Sequence, residues 1–129
     1  RVTKTGGYII AFAEPDYFKR VDKPDELVQL GKWQTESLIK QGADPSFGAR
    51  LAESFFQAGI TILETGTIQS VENEPSAEEW ELEWAVIESD LAESVSVADI
   101  QKMKTLDQQA RVHGERKLNV PTYFCLGRK

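Results

Sequence analysis

The sequence predicts an α/β fold, and three observations carry that prediction. An unbroken apolar run, Tyr8–Ala13, has the character of a strand buried on both faces. Two blocks with helical spacing of apolar residues lie between it and two later strand-like segments, the β-branched Ile60–Ile68 and the aromatic Pro121–Leu126. The order that results is β-α-α-β-α-α-β, with no internal repeat and no low-complexity segment.

Each element has a local reason. The first strand follows a basic lead-in and a Gly6-Gly7 turn, and Pro15 closes it before a polar stretch, Asp16–Pro24. Asp25–Gln41 reads as a helix with Leu27, Leu30, Gln34 and Leu38 near one face, ended by Gly42. Asp44 then stands at an N-cap with Pro45 at the first helical position, where its missing N–H costs nothing. Phe47, Leu51 and Phe55 make one stripe of that helix, with Ala52 and Phe56 beside it, and Gly59 follows as its C′ residue. An acidic linker, Glu72–Pro75, precedes a capping box in which Ser76 faces Glu79. The helix it opens carries Trp80, Trp84, Ile87 and Leu91 on one face. Ser96 with Asp99 repeats the start signal for a helix with inward positions Ile100, Met103, Leu106 and Ala110, ended by Gly114.

At 129 residues and 40% hydrophobic content the chain suits one domain with an ordinary core. No run reaches transmembrane length and no secretory signal opens the chain, so no membrane partner is expected. One cysteine, Cys125, excludes an intrachain disulfide and fits a reducing, cytoplasmic setting. The net charge is −6, and Leu51–Gln101 holds twelve acidic residues and no Lys or Arg. That field repels phosphate backbones, so no nucleic-acid partner is expected; the plain alternative is a solvated acidic helix face.

Three segments, taken in order, resemble one family. Arg1-Val2-Thr3-Lys4-Thr5-Gly6-Gly7 before a strand ending in Glu14-Pro15 resembles the R-x-L-x-P-G-G approach to the fifth strand of class I S-adenosylmethionine-dependent methyltransferases, with Thr5 in place of the usual Pro. Gly42–Ile60, GADPSFGARLAESFFQAGI, is similar to the G-x-D-P-x-x-G-x-x-L…A-G-F helix of small-molecule methyltransferases related to the quinone-biosynthesis C-methyltransferases, with Ile60 for the usual Phe. Pro121–Lys129, PTYFCLGRK, is similar to the family's last, antiparallel strand. The resemblance implies the C-terminal part of a Rossmann-like domain. It further implies a three-stranded mixed sheet in first–last–middle order, about four helices, and helical insertions at 17–43 and 72–117. It also implies a small-molecule substrate, with S-adenosylmethionine as cofactor of a longer protein. The family's glycine-rich cofactor loop and ribose-binding acid have no counterpart here. Gly6-Gly7 precede a strand instead of joining a strand to a helix, so the chain alone is expected to be inactive and to bind no cofactor.

In open α/β sheets ligands bind beyond the carboxyl ends of the strands. For the first strand that end is Ala13–Tyr17, and the resemblance turns it toward substrate, with Glu14, Asp16 and Tyr17 as contacts. The alternative is an Asp turn that caps the loop with Tyr17 packed under it. By the same resemblance the Asp25–Gln41 helix is a lid whose Trp33 and Gln34 line a substrate pocket, although a Trp on an amphipathic helix also serves as core. Trp80 and Trp84 admit an aromatic cage or, more simply, a docking face. His113 and Cys125 do not suggest a nucleophilic dyad, and no cluster has metal-ligand spacing. Tyr8–Ala13 carries no Pro, no bulge signal and no inward charge, so self-association is expected, as a two-fold homodimer through this exposed strand or through apolar surface that the rest of the domain would cover. A different class of function, a non-catalytic α+β binding or dimerisation module, fits the same elements.

Overall fold

A computed structural model describes residues 3–68 and 74–129. The chain is α/β and forms two compact units, Arg1–Arg20 with Asp44–Ser70 and Val120–Lys129, and Val21–Ala43 with Val71–Asn119. The segments expected as insertions, 17–43 and 72–117, fall mainly in the second unit.

The first unit is built on a three-stranded sheet of β1 (Tyr8–Pro15), β3 (Thr61–Ile68) and β5 (Thr122–Arg128). Their order is β1-β5-β3, first–last–middle. β5 runs antiparallel to both neighbours, with Cys125 opposite Ala11 on one side and Thr65 on the other. Every adjacent pair is therefore antiparallel, and the mixed sheet expected from the resemblance is corrected to an antiparallel one. A Rossmann-like parallel sheet is not present among the described residues; what they show is α/β.

Residues directly opposite in an antiparallel pair share a face. Ile9, Ala11, Ile62, Tyr123 and Cys125 thus line the side covered by the helix α2 (Leu51–Gln57), whose Leu51 and Phe55 complete a small core. Gly127 sits where a Cβ would come within 3.0 Å of Phe55 Cδ2, so its bare backbone lets the helix down onto the sheet. The helix stops in a Schellman motif: Ile60 N–H reaches the Phe55 carbonyl, Gly59 N–H reaches Phe56, and Gly59 takes φ +70°. That reversal feeds β3 straight from α2.

Two expectations for this unit change. The helix after Asp44 begins as a 3-10 turn, Phe47–Arg50, and becomes α-helical only at Leu51. Asp44 does act at the start, accepting from Ser46 N and Oγ and pairing with Arg50. Phe56, expected beside the apolar stripe, points outward. The first strand is also not free of irregularity. The register slips between Ala11 and Glu14, so Phe12 and Ala13 together face Phe124, and Ala13 takes φ +64°. This is a β-bulge, which bends and twists the edge beyond Phe12.

The second unit packs α1 (Val28–Lys40), α3 (Ala77–Leu91) and α4 (Val97–Val112) around Leu27, Leu30, Trp80, Trp84, Ile87, Leu91, Ile100, Met103 and Ala110. Both start signals hold. The Ser76 and Glu79 side chains each accept from the other's backbone N–H, and Ser96 Oγ accepts from Asp99 N. Of the acidic linker Glu72–Pro75, Glu72 and Asn73 lie outside the described residues. One element was not expected, a two-stranded ribbon of β2 (Val21–Lys23) and β4 (Lys117–Asn119), paired Asp22 to Leu118.

Gly48 makes the sharpest test of how the first unit closes. A Cβ there would collide with the Glu14 carbonyl and lie 2.8 Å from Pro15 O, and neither backbone atom can swing aside. Gly48→Ala should destabilise the protein by about 1–3 kcal/mol, measured as a lowered urea midpoint. An unchanged midpoint would mean that the 3-10 turn does not press on the end of β1.

Candidate functional site

The loop at the carboxyl end of β1 is held from three directions. Asp16 N–H donates to Pro121 O at 2.8 Å and Tyr17 N–H to Pro45 O at 2.7 Å, while Gly48 lies against the Glu14 and Pro15 carbonyls. The bulge at Ala13 just upstream is a non-glycine residue at positive φ, a conformation that persists only where its surroundings enforce it. Of the expected contacts, Asp16 is 2% exposed, and its carboxylate caps the 3-10 turn Tyr17–Lys19 by accepting from Phe18 N at 3.2 Å, with Lys19 Nζ 4.0 Å away. The capping alternative describes its geometry. Glu14 stands opposite Tyr123 and is half-buried, as is Tyr17, so these two sit at the rim of a rigid loop.

Trp33 and Gln34 lie on α1 in the second unit. Trp33 packs against that unit's core, the packing alternative for this residue, and Gln34 is half-buried with an interaction of its own. The structure places Glu14, Asp16 and Tyr17 on one loop and Trp33 and Gln34 on one helix.

The densest polar cluster is one the sequence reading passed over. Asp107, 2% exposed, accepts at Oδ2 from Trp80 Nε1 (2.6 Å), Trp84 Nε1 (3.1 Å) and Arg111 Nε (3.0 Å), and at Oδ1 from Arg116 Nε (2.6 Å). Arg116, whose side chain is 4% exposed, continues to Asp22 Oδ1 at 3.0 Å and to the carbonyls of Lys23 and Lys117. Two carboxylates face two guanidiniums, so the buried charge balances. Burial works against the ionised Asp107 carboxyl, but the indole and Arg111 donors outweigh it and hold its pKa below the ordinary carboxylate range. The signal was present: Asp107 falls four residues after Met103 on the inward stripe of α4, and four before Arg111.

This cluster also decides the role of the tryptophans. Their rings stand 6.2 Å apart and tilted at 55°, and both indole N–H groups are committed to Asp107. The cation over the Trp80 ring is the chain's own Lys104, at 5.3 Å, which also bridges Glu81 and Glu88. The pair is a packed, hydrogen-bonded face.

Electrostatically the two units differ. The sheet unit holds seven Lys and Arg against five Asp and Glu; the helical unit holds eight against sixteen. Among the described residues no group of three or more His, Cys, Asp or Glu is placed to hold a metal ion, and no helix is long and apolar enough to cross a membrane. The Gly6-Gly7 turn spends its polar groups on tying the chain ends. Gly6 N–H donates to Lys129 O, Gly7 N–H to Lys4 O, and Arg128 Nε donates to Gly6 O. These amides do not fit a cofactor phosphate or carboxylate.

Asp107 carries a pH signature with a definite sign. Its folded pKa lies below its unfolded value of about 3.9, so the stability it adds is present above that value and lost as pH falls through the folded one. Asp107→Asn, which removes the buried anion that Arg111 Nε and Arg116 Nε share and leaves Arg116 with Asp22 alone, should cost about 3–5 kcal/mol at neutral pH. Urea titrations at pH 7 and near pH 3 should show the wild type losing much of its advantage over the variant at acid pH. A pH-independent difference would contradict an ionised Asp107.

No protein-family model matches this chain, and no curated protein and no solved structure matches it.

Proposed function

We propose that the chain is the substrate side of a class I S-adenosylmethionine-dependent methyltransferase acting on a small molecule, as a part of a longer Rossmann-like domain. The observation that supports this reading most is the sheet. Its last strand, β5, lies between the first and middle strands and antiparallel to both, and among the described residues no strand pairs with β1 on its other side. A nucleotide-binding half would pair at that edge.

In this reading the Ala13–Tyr17 loop works by position. The bulge turns Glu14 out of the register of Tyr8–Ala11, Asp16 locks the following turn by capping it, and Glu14 and Tyr17 remain at the rim to meet a substrate. A carboxylate and a phenol there suit orientation of a polar acceptor and removal of its proton. S-adenosylmethionine would supply an electrophilic methyl group. In this reading the residues that hold it lie outside this chain, in keeping with the Gly6 and Gly7 amides being taken up by Lys129 O and Lys4 O. The second reading, a non-catalytic α+β binding or dimerisation module, is favoured by the apolar outer face of the same sheet.

Isothermal titration separates the two together with the natural gene product. The chain alone should give no heat with S-adenosylmethionine above dilution; a micromolar dissociation constant would contradict the assignment of cofactor binding elsewhere. The natural product should be longer than this chain and should photocrosslink to the labelled cofactor. A product that begins near Arg1 and fails to crosslink would overturn the transferase reading in favour of the module.

A further inference from the structure

The three-stranded sheet is apolar on both faces, and only one is covered by α2. Opposite residues share a face, so Tyr8 lies with Arg128, Ile10 with Leu126, and Glu64 with Leu126, all on the side away from Cys125. Tyr8, Ile10 and Phe12 are 66%, 63% and 65% exposed there, and Phe124 and Leu126 on the central strand are half-buried beside them. The Phe124 ring lies over Gly66, where an added Cβ would come within 3.1 Å, which keeps this face flat. Two exposed charges of opposite sign accompany the stripe, Arg128 on β5, stacked 5.8 Å over the Tyr8 ring, and Glu64 on β3.

We propose that this outer face seats a second copy of the chain in a two-fold, face-to-face sheet packing. Two arguments select that occupant. A two-fold interface uses one patch on both partners, so the patch must complement itself. An apolar stripe that carries one cation and one anion meets that requirement, because Arg128 of each copy can approach Glu64 of the other. The area agrees. An aromatic side chain buries about 150–250 Å². The exposed parts of these five residues therefore offer on the order of 500 Å² per copy and about 1,000 Å² across the pair, where a specific interface begins. The face also belongs to the unit whose charge nearly balances, with seven Lys and Arg against five Asp and Glu, so its own net charge opposes pairing little.

The face is distinct from the free edge of β1, and the two are separable by experiment. Lys129 N–H donates to Gly7 O, which by antiparallel alternation turns the Tyr8 and Ile10 amides away from β5 toward the open edge. Ile10→Pro therefore removes an edge donor without breaking the β1–β5 ladder and keeps the face apolar. Ile10→Lys places a charge on the face at a position exposed enough to leave folding intact.

This inference needs only the sheet of this chain and stands apart from the transferase reading. Sedimentation velocity of the full chain at micromolar concentration should show a dimer, twice the monomer's 14.5 kDa. Ile10→Lys should sediment as a monomer with unchanged circular dichroism, and Ile10→Pro should remain a dimer. A monomeric wild type would overturn the proposal, as would an Ile10→Lys dimer. A monomeric Ile10→Pro would also overturn it, and would assign the contact to edge pairing.

Discussion

The sheet unit depends on β5. Among the described residues β1 and β3 do not pair with each other; the strand partner of each is the last strand, with Tyr8 and Thr61 both opposite Arg128. Cys125, fully buried, sits at the crossing of both ladders and against Leu51 and Phe55. Residues 122–128 must therefore return before the β1–β5 and β3–β5 ladders can form. This is a non-local pairing of the kind that costs loop entropy and is repaid late in folding. Small residues make room at the centre, with Gly127 beneath α2 and Gly66 beneath the Phe124 ring.

The helical unit answers to a different constraint. Its ribbon, β2 with β4, is three residues a side and carries few apolar groups, too little to stand alone in water. Arg116 supplies what burial does not. From one guanidinium it binds Asp107 on α4, Asp22 on β2 and the backbone of both ribbon strands. Desolvating these charges is expensive, and such clusters gain little net stability over an apolar replacement, but a half-removed one leaves a buried charge without a partner. The arrangement fixes one register for the ribbon and one orientation for Trp80 and Trp84.

What was legible in the sequence follows from locality. The Ser76–Glu79 and Ser96–Asp99 starts, the Gly59 reversal and the inward Trp80, Trp84, Ile87 and Leu91 are set within a few residues, so spacing reveals them. The β2–β4 ribbon was not legible, because its cause is an arginine more than ninety residues from the aspartate it binds. Nor was the bulge at Phe12–Ala13, since an alanine at positive φ has no local preference for it and tertiary contacts impose it. The 3-10 start of α2 answers to the space under Glu14 and Pro15, which only the fold defines. At the candidate site, the loop Glu14–Tyr17 was visible as a strand end, while the capping role of Asp16 and the core role of Trp33 depend on what surrounds them.

The functional account rests on the same sheet: a rigid loop at one end of β1, a free edge beside it, and an apolar outer face. All three require that β5 be the firmly held centre of its unit. Native-state hydrogen exchange tests this directly. The account predicts that the β5 amides around Cys125 are among the slowest of the sheet unit, with Tyr8 and Ile10 on the open edge far faster. Exchange of the Cys125 region as fast as that of the β1 edge would contradict it.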